Sequence, residues 1–130
     1  EEISLNLNAS YLSLKTFRKS GAHVLTPVWF ASTNQNQLHV FSSKNAGKVK
    51  RIKNNAASEI AECDWKGESI KTWEAARAFI VDDPIEENEA YRALTAKYKW
   101  QMHAINFLSW ISGRIKKRSV IRIEIIQKNN

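Results

Sequence analysis

The chain has 130 residues, of which 43% are hydrophobic and 25% are charged, and its net charge at pH 7 is +7. This composition is typical of one globular domain spanning residues 1–130, and it excludes an intrinsically disordered chain. Cys63 is the single cysteine, so an internal disulfide is impossible, and no apolar run approaches the ~18 residues that a membrane span needs. We therefore expect a cytoplasmic protein that does not contact membranes.

Six segments alternate between apolar and polar residues or are rich in β-formers, and we predict them as strands: 11–17, 22–31, 38–42, 58–65, 69–81 and 120–126. Turns at 19–21 and 32–36 predict antiparallel hairpins. Helices are predicted from Asn45 to Asn54, from Pro84 to about Tyr98 and from Trp100 to Ile111. This order predicts a mainly β (α+β) fold, a small six-stranded antiparallel barrel with flanking helices.

Positive charge concentrates where the third predicted strand passes into the first predicted helix. Residues 1–58 carry eight Lys or Arg and two acids, whereas residues 59–130 carry twelve and eleven. The stretch from Lys44 to Lys53 alone holds five cations and no acid. A local surplus of this kind indicates an anionic ligand more than a uniform solubilising coat does.

The order of residues in this stretch predicts a phosphate site. Ser42 and Ser43 end the strand, Asn45 has a side chain suited to the N-cap, and Lys48 and Arg51 lie on one helix face. Cations at a helix N-terminus oppose the dipole, and a phosphate bound by the serine hydroxyls, the free N–H groups and both cations would compensate them. Two alternatives remain: a solvated basic face and a nucleic-acid surface, the latter because five Trp accompany the charge.

A second candidate segment, Thr26-Pro27-Val28-Trp29, lies in the second predicted strand. Pro27 cannot donate a hydrogen bond to a neighbouring strand, so it belongs at a sheet edge or at a break in the pairing. An open backbone edge in a barrel can bind a planar ligand through main-chain groups. Trp29 either stacks on that ligand or, in the more common role of a Trp, packs in the core.

The other reactive residue types form no recognisable site. The histidines lack the spacing of metal ligands and are interpreted as surface or packing residues: His23, His39 and His103. Cys63 has no evident activating cation and is interpreted as a small strand residue. Aromatic residues at helical spacing are interpreted as core or subunit interface: Trp100, Phe107 and Trp110.

The sequence resembles the split-barrel flavin-binding family related to pyridoxamine 5′-phosphate oxidase in segments that occur in order: LKTFRKSGAHVLTPVWF, LHVFSSKNAGKVKRIKNN, IAECDWKGE and WEAARAFI, followed by LTAKYKW. These segments cover most of residues 12–100. The match is closest to small bacterial members described as candidate deazaflavin-dependent oxidoreductases. The resemblance implies a split β-barrel and a homodimer with cofactor sites at the subunit interface.

The resemblance also implies which residues bind the cofactor, either FMN or the deazaflavin coenzyme F420. The strand Thr26–Trp29 would lie along the ring through its backbone, and Phe41 and Ser42 would approach the ribityl chain and phosphate. Lys48 would hold the phosphate with help from Arg51. The implied function is an oxidoreductase that transfers hydride between this cofactor and a small-molecule substrate and binds no nucleic acid. The alternatives are a non-catalytic flavin-binding carrier and a basic nucleic-acid-binding domain.

Overall fold

The computed structural model describes residues 9–34, 36–44, 46–64, 66, 68, 72–99, 101–103 and 118–126. The strands within these ranges are β1 (Leu12–Phe17), β2 (His23–Val28), β3 (Ala31–Asn34), β4 (Gln37–Ser43), β5 (Ala57–Glu62), β6 (Glu74–Val81) and β7 (Arg118–Ile125). The main helices are α1 (Gly47–Asn54) and α2 (Pro84–Tyr98).

The strands form one antiparallel sheet with the order β2-β1-β5-β6-β7-β4-β3. Its edge strands, β2 and β3, are consecutive in the chain, and only Trp29 and Phe30 lie between them. The Cα atoms of Val28 and Ala31 can therefore be at most about 11 Å apart. The sheet must curl until its two edges approach at this corner. Because no ladder joins β2 to β3 among the described residues, the barrel is split there.

The sequence predicted six strands, whereas the described residues form seven. The predicted strand 22–31 is broken at Trp29 and Phe30, because the chain passes there from one sheet edge to the other. The predicted turn at 32–36 is largely strand β3, which pairs with β4, and the tight turn is confined to the region of Asn36 with φ 67°. The polar residues of β3 are compatible with a strand because β3 lies at the edge with one exposed face.

Apolar residues of the strands fill the barrel interior. Leu12 and Leu14 of β1 are fully buried, and the inward-facing isoleucines of β7 that the alternation predicted are buried as well: Ile121, Ile123 and Ile125. Helix α1 contributes Val49 and Ile52 to the same core. This burial confirms the single apolar stripe predicted for α1, so its cations lie on the other faces of the helix.

Helix α2 begins and ends where the sequence predicted. Asp83 Oδ1 accepts a hydrogen bond from the Ile85 N–H at 3.0 Å, and Pro84 occupies the first turn. The predicted helix from Trp100 to Ile111 lies mostly outside the described residues, of which 101–103 are helical. In the described part of the chain, no helix has the length and apolarity to cross a membrane.

Candidate functional site

The basic stretch lies where β4 ends and α1 begins. The Ser43 carbonyl accepts a hydrogen bond from the Ala46 N–H at 3.0 Å, and α1 starts at Gly47. Ala46 occupies the N-cap position, one residue later than the predicted Asn45, and it supplies no side-chain cap. No side chain in the described ranges therefore caps the first N–H groups of α1, and free N–H groups at a helix start can bind an anion.

Lys48 and Arg51 lie close together in the first turns of α1, as their spacing predicted. Burial, and secondarily the charge of Arg51, lowers the pKa of Lys48. Burial also lowers the pKa of Arg51, with a further contribution from Arg18. Neither Lys48 nor Arg51 pairs with a carboxylate in the part of the chain that the structure describes. Like charges held together without a counter-charge favour binding of an anion.

The Arg51 guanidinium has a fixed position over the first turn of its own helix. Its Nε donates a 2.7 Å hydrogen bond to Thr16 Oγ1 on β1. Gly47 makes room for it, because a Cβ atom at position 47 would lie 2.7 Å from Arg51 Nη1. Thr16 and Gly47 thus orient Arg51, and neither role was recognised in the sequence. The contact between Arg51 and Thr16 joins residues 35 positions apart, so no local pattern signals it.

The segment Thr26–Trp29 lies at a sheet edge. Pro27 is in β2, which among the described strands pairs with β1 alone. The prediction of an edge position for this proline is therefore confirmed. Trp29 stacks on Tyr98 with ring centroids 4.3 Å apart and planes inclined by 7°. This contact occupies one face of the indole, as expected if Trp29 packs against the protein.

The end of β4 leads along the chain from an apolar cluster to α1. Phe41 and Trp29 pack against one apolar cluster, which is built around Leu94 and Tyr98. Ser42 follows Phe41 and is buried opposite Ser119 of β7, whereas the side chain of Ser43 is exposed.

The predicted residues thus fall into two groups. Trp29 and Phe41 share the apolar cluster, while Lys48 and Arg51 lie beside β1, the described neighbour of β2. The pairing of β1 with β2 links the two groups indirectly. Thr16 of β1, which binds Arg51, is opposite Val24 of β2, and Val24 is two residues before Thr26. No hydrogen bond, ion pair or ring contact between described residues joins the two groups directly.

Tyr98 organises the corner between β2 and β3. Its hydroxyl accepts a 3.0 Å hydrogen bond from the Phe30 N–H and lies 2.9 Å from the Ser10 carbonyl oxygen, to which it donates. Next to it, Lys97 Nζ is buried and has no hydrogen-bond partner among the described residues. It lies 3.4 Å from the centre of the Phe30 ring, and burial lowers the pKa of Lys97 to about 8. Only the resemblance of the segment LTAKYKW drew attention to this pair.

The remaining candidates differ in their outcome. Cys63 is buried, and burial, aided by Asp64 and Glu62, raises the pKa of its thiol to about 11, which supports its interpretation as an unreactive strand residue. His39 is buried and hydrogen-bonded through both ring nitrogens, while His23 and His103 are exposed. Among the described residues, no three potential ligands cluster as a metal site would require. The predicted aromatic interface residues lie outside the described residues: Trp100, Phe107 and Trp110.

Comparisons with known proteins bear on the fold. No protein-family model and no curated protein sequence matches the chain. Solved structures do match. The haem-storage protein HutZ from Vibrio cholerae has a TM-score of 0.69 at 15% identity, over 92% of this chain and 84% of that one. An F420 reductase has a TM-score of 0.63 at 17% identity, over 98% and 97%.

A candidate pyridoxamine 5′-phosphate oxidase from Listeria innocua is similar as well, with a TM-score of 0.62 at 11% identity over 91% of this chain and 85% of that one. At such identities these likenesses show a shared fold and nothing finer. The fold is the antiparallel split barrel that the sequence resemblance implied.

Proposed function

We propose that the protein is an oxidoreductase of the pyridoxamine 5′-phosphate oxidase-like split-barrel family that uses FMN or the deazaflavin coenzyme F420. The pair Lys48 and Arg51 carries this proposal: two partly buried cations, without a carboxylate partner among the described residues, beside an uncapped helix start. The fold supports it, since proteins with the same barrel include an F420 reductase and a candidate pyridoxamine 5′-phosphate oxidase.

The residues at the start of α1 fit a phosphate in both charge and donors. Burial lowers the pKa of Lys48, which means that its charged form is destabilised, and a nearby anion would stabilise that charged form again. Arg51 is fixed through Nε by Thr16, so its terminal N–H groups remain for a ligand. The N–H groups of the first helical turn add further donors. Lys48 would bind the phosphate directly, and Arg51 would orient it.

The other predicted residues fit the rest of such a cofactor. Thr26, Pro27, Val28 and Trp29 would supply a backbone edge for the ring, because β2 pairs with β1 alone among the described strands. Phe41, Ser42 and Ser43 would line the path of the ribityl chain toward α1. When bound, the cofactor supplies hydride chemistry for a small-molecule substrate, while the protein binds it, orients it and excludes water.

We further propose a cytoplasmic homodimer with the cofactor at the interface. Leu25 is 45% exposed on the edge strand β2, next to the proposed ring site. A second subunit placed there would cover the Leu25 side chain. It would also close the ring site, which is open in one subunit because β2 is an edge strand. The buried His39 is a poor haem ligand, because both of its ring nitrogens are already engaged, by Thr33 and Glu86.

A titration with FMN and with the deazaflavin tests the phosphate site. The double variant Lys48→Ala, Arg51→Ala should bind either cofactor more weakly, because each lost charge-assisted hydrogen bond is worth about 1.5–3 kcal/mol. A matched control, Lys50→Ala with Lys53→Ala, removes two exposed charges from the same helix and should keep the wild-type affinity.

Equal affinity in the wild type and the Lys48/Arg51 variant would refute the phosphate site. Equal weakening in both double variants would instead indicate a diffuse basic surface, and salt-sensitive binding of DNA or RNA without cofactor binding would favour the nucleic-acid alternative. Tight cofactor binding with no turnover of any small electron acceptor would favour the flavin carrier.

A further inference from the structure

A hydrogen-bonded network of three side chains lies where the β3–β4 hairpin meets the first turn of α2, and it shares no residue with the proposed flavin site. Thr33 Oγ1 is 2.6 Å from His39 Nδ1, and His39 Nε2 is 2.6 Å from Glu86 Oε2. His39 is 3% exposed. Arg122 Nη1 donates to both oxygens of Glu86, at 2.9 and 3.3 Å. Glu86 is 47 residues from His39, so no local pattern predicts this network.

The backbone at Thr33 is irregular in a way that directs its side chain toward His39. The β3–β4 register shifts between Ser32 and Asn34, which leaves Thr33 as an extra residue in a bulge. Such bulges change the direction of a side chain and are frequent beside functional sites. In a regular ladder without the bulge, Thr33 would pair with a residue of β4 like any other residue of an edge strand.

Hydrogen-bond chemistry fixes the direction of the bond between His39 and Glu86, and the neutral form of His39 fixes the direction of the bond to Thr33. The carboxylate of Glu86 can only accept, so His39 Nε2 must carry a proton and donate it. In the neutral imidazole Nδ1 is then an acceptor, and the Thr33 hydroxyl donates to it. A hydroxyl bonded to an imidazole that a carboxylate orients is the arrangement of an activated nucleophile.

Thr33, His39 and Glu86 line a cavity of about 280 Å³, which is large enough for a small ligand. Gln37 is in its wall, where its Oε1 accepts a hydrogen bond from Asn34 at 3.1 Å, and its own amide N–H groups bond to no described residue. Three acids, Asp83, Glu86 and Glu89, and one base, Arg122, also line the cavity. The cavity is therefore net negative and favours a cationic ligand.

We propose that this cavity is an acyl-transfer site for small esters that carry a positive charge, with Thr33 as nucleophile and His39 as general base. The Thr33 oxygen forms a bond to the acyl carbon while its proton passes to His39 Nδ1. The Gln37 amide donates to the developing oxyanion. Loss of the alcohol, which takes the proton from His39, leaves an ester on Thr33. Water then attacks that ester while His39 again accepts a proton. The bond between the acyl carbon and Thr33 Oγ1 breaks, Thr33 takes the proton back from His39, and the carboxylic acid leaves.

The competing explanation is that the network only fastens α2 to the sheet. That role needs the bonds from Glu86 to His39 and Arg122, and it does not need the Thr33 hydroxyl. The variant Thr33→Val keeps the shape of the side chain and removes the nucleophile, whereas Thr33→Ser keeps the nucleophile. These two substitutions therefore separate the explanations without disturbing the contact between helix and sheet.

The test measures thiol release from acetylthiocholine by the purified full chain, and mass spectrometry of peptides locates any acetyl group. Wild type and Thr33→Ser should release thiol and carry an acetyl ester on residue 33 that hydroxylamine removes. Thr33→Val and His39→Gln should lose at least about 100-fold in rate, the scale of general base catalysis. Thr33→Val decides the outcome if His39→Gln fails to fold. Undiminished thiol release by folded Thr33→Val, or acetyl groups on lysines alone, would overturn the proposal.

Discussion

The substitution Gly47→Ala separates the stability of α1 from the binding of the proposed phosphate. An ideal Cβ atom at residue 47 would lie 2.7 Å from Arg51 Nη1 and 3.6 Å from Cζ. Unstrained contacts are about 3.5–4.0 Å, so the guanidinium must move by roughly 1 Å. The displaced atoms are the far end of a flexible side chain, and the fold can therefore absorb the change at little cost.

The two consequences should have opposite signs. Alanine favours a helix over glycine by about 0.4–1 kcal/mol, so the free energy of unfolding should stay unchanged or rise slightly. The affinity for FMN should fall, because a displaced Arg51 loses a charge-assisted hydrogen bond worth about 1.5–3 kcal/mol, or roughly 10- to 150-fold in Kd. Few substitutions that stabilise a helix would be expected to lower the affinity for a ligand this much.

Fluorescence titration of FMN gives the Kd, and urea unfolding of the same protein gives the stability. Lys50→Ala is the control, since it lies on an exposed face of the same helix and should change neither quantity appreciably. Gly47→Ala protein that folds normally and binds FMN with wild-type affinity would show that the Arg51 guanidinium does not contact the cofactor.

Two further predictions concern the Trp29–Phe30 corner. Tyr98→Phe should lower the free energy of unfolding in urea by about 1–3 kcal/mol, because the buried Phe30 N–H loses its acceptor; a loss below about 0.5 kcal/mol, within the scatter of neutral substitutions, would contradict this role. The pKa of Lys97 is lowered from 10.5 to about 8, so between these values the folded protein binds fewer protons than the unfolded chain, and the free energy of unfolding should rise with pH. Lys97→Met should remove that rise and be the more stable protein at pH 7, whereas parallel pH profiles of thermal stability for both proteins would refute the assignment.

The sequence predicted the parts of this structure that depend on neighbours in the chain. Pro27 lacks an N–H group, which alone requires an edge or a break in the pairing, and the structure has it at an edge. The i, i+3 spacing of Val49 and Ile52 fixed which face of α1 is buried, and hence that Lys48 and Arg51 share another part of its surface. These inferences needed only the geometry of single elements.

The parts that escaped prediction depend on closure of the barrel. The run from Val28 through Trp29 to Phe30 looks like uninterrupted strand, and only the meeting of the two sheet edges bends it. The bonds from Tyr98 to Phe30 and from His39 to Glu86 span 68 and 47 residues. No periodicity in one sequence encodes such pairs, because their partners are chosen by the register of strands and helices far apart in the chain.

The phosphate site can be observed in a crystal structure of the FMN complex. We expect the cofactor phosphate at the start of α1, within hydrogen-bond distance of Lys48 Nζ and of the Arg51 guanidinium. A phosphate bound instead in the cavity of about 600 Å³ that Lys44, Lys53 and Arg118 line, or a crystal grown in FMN without any at α1, would contradict it.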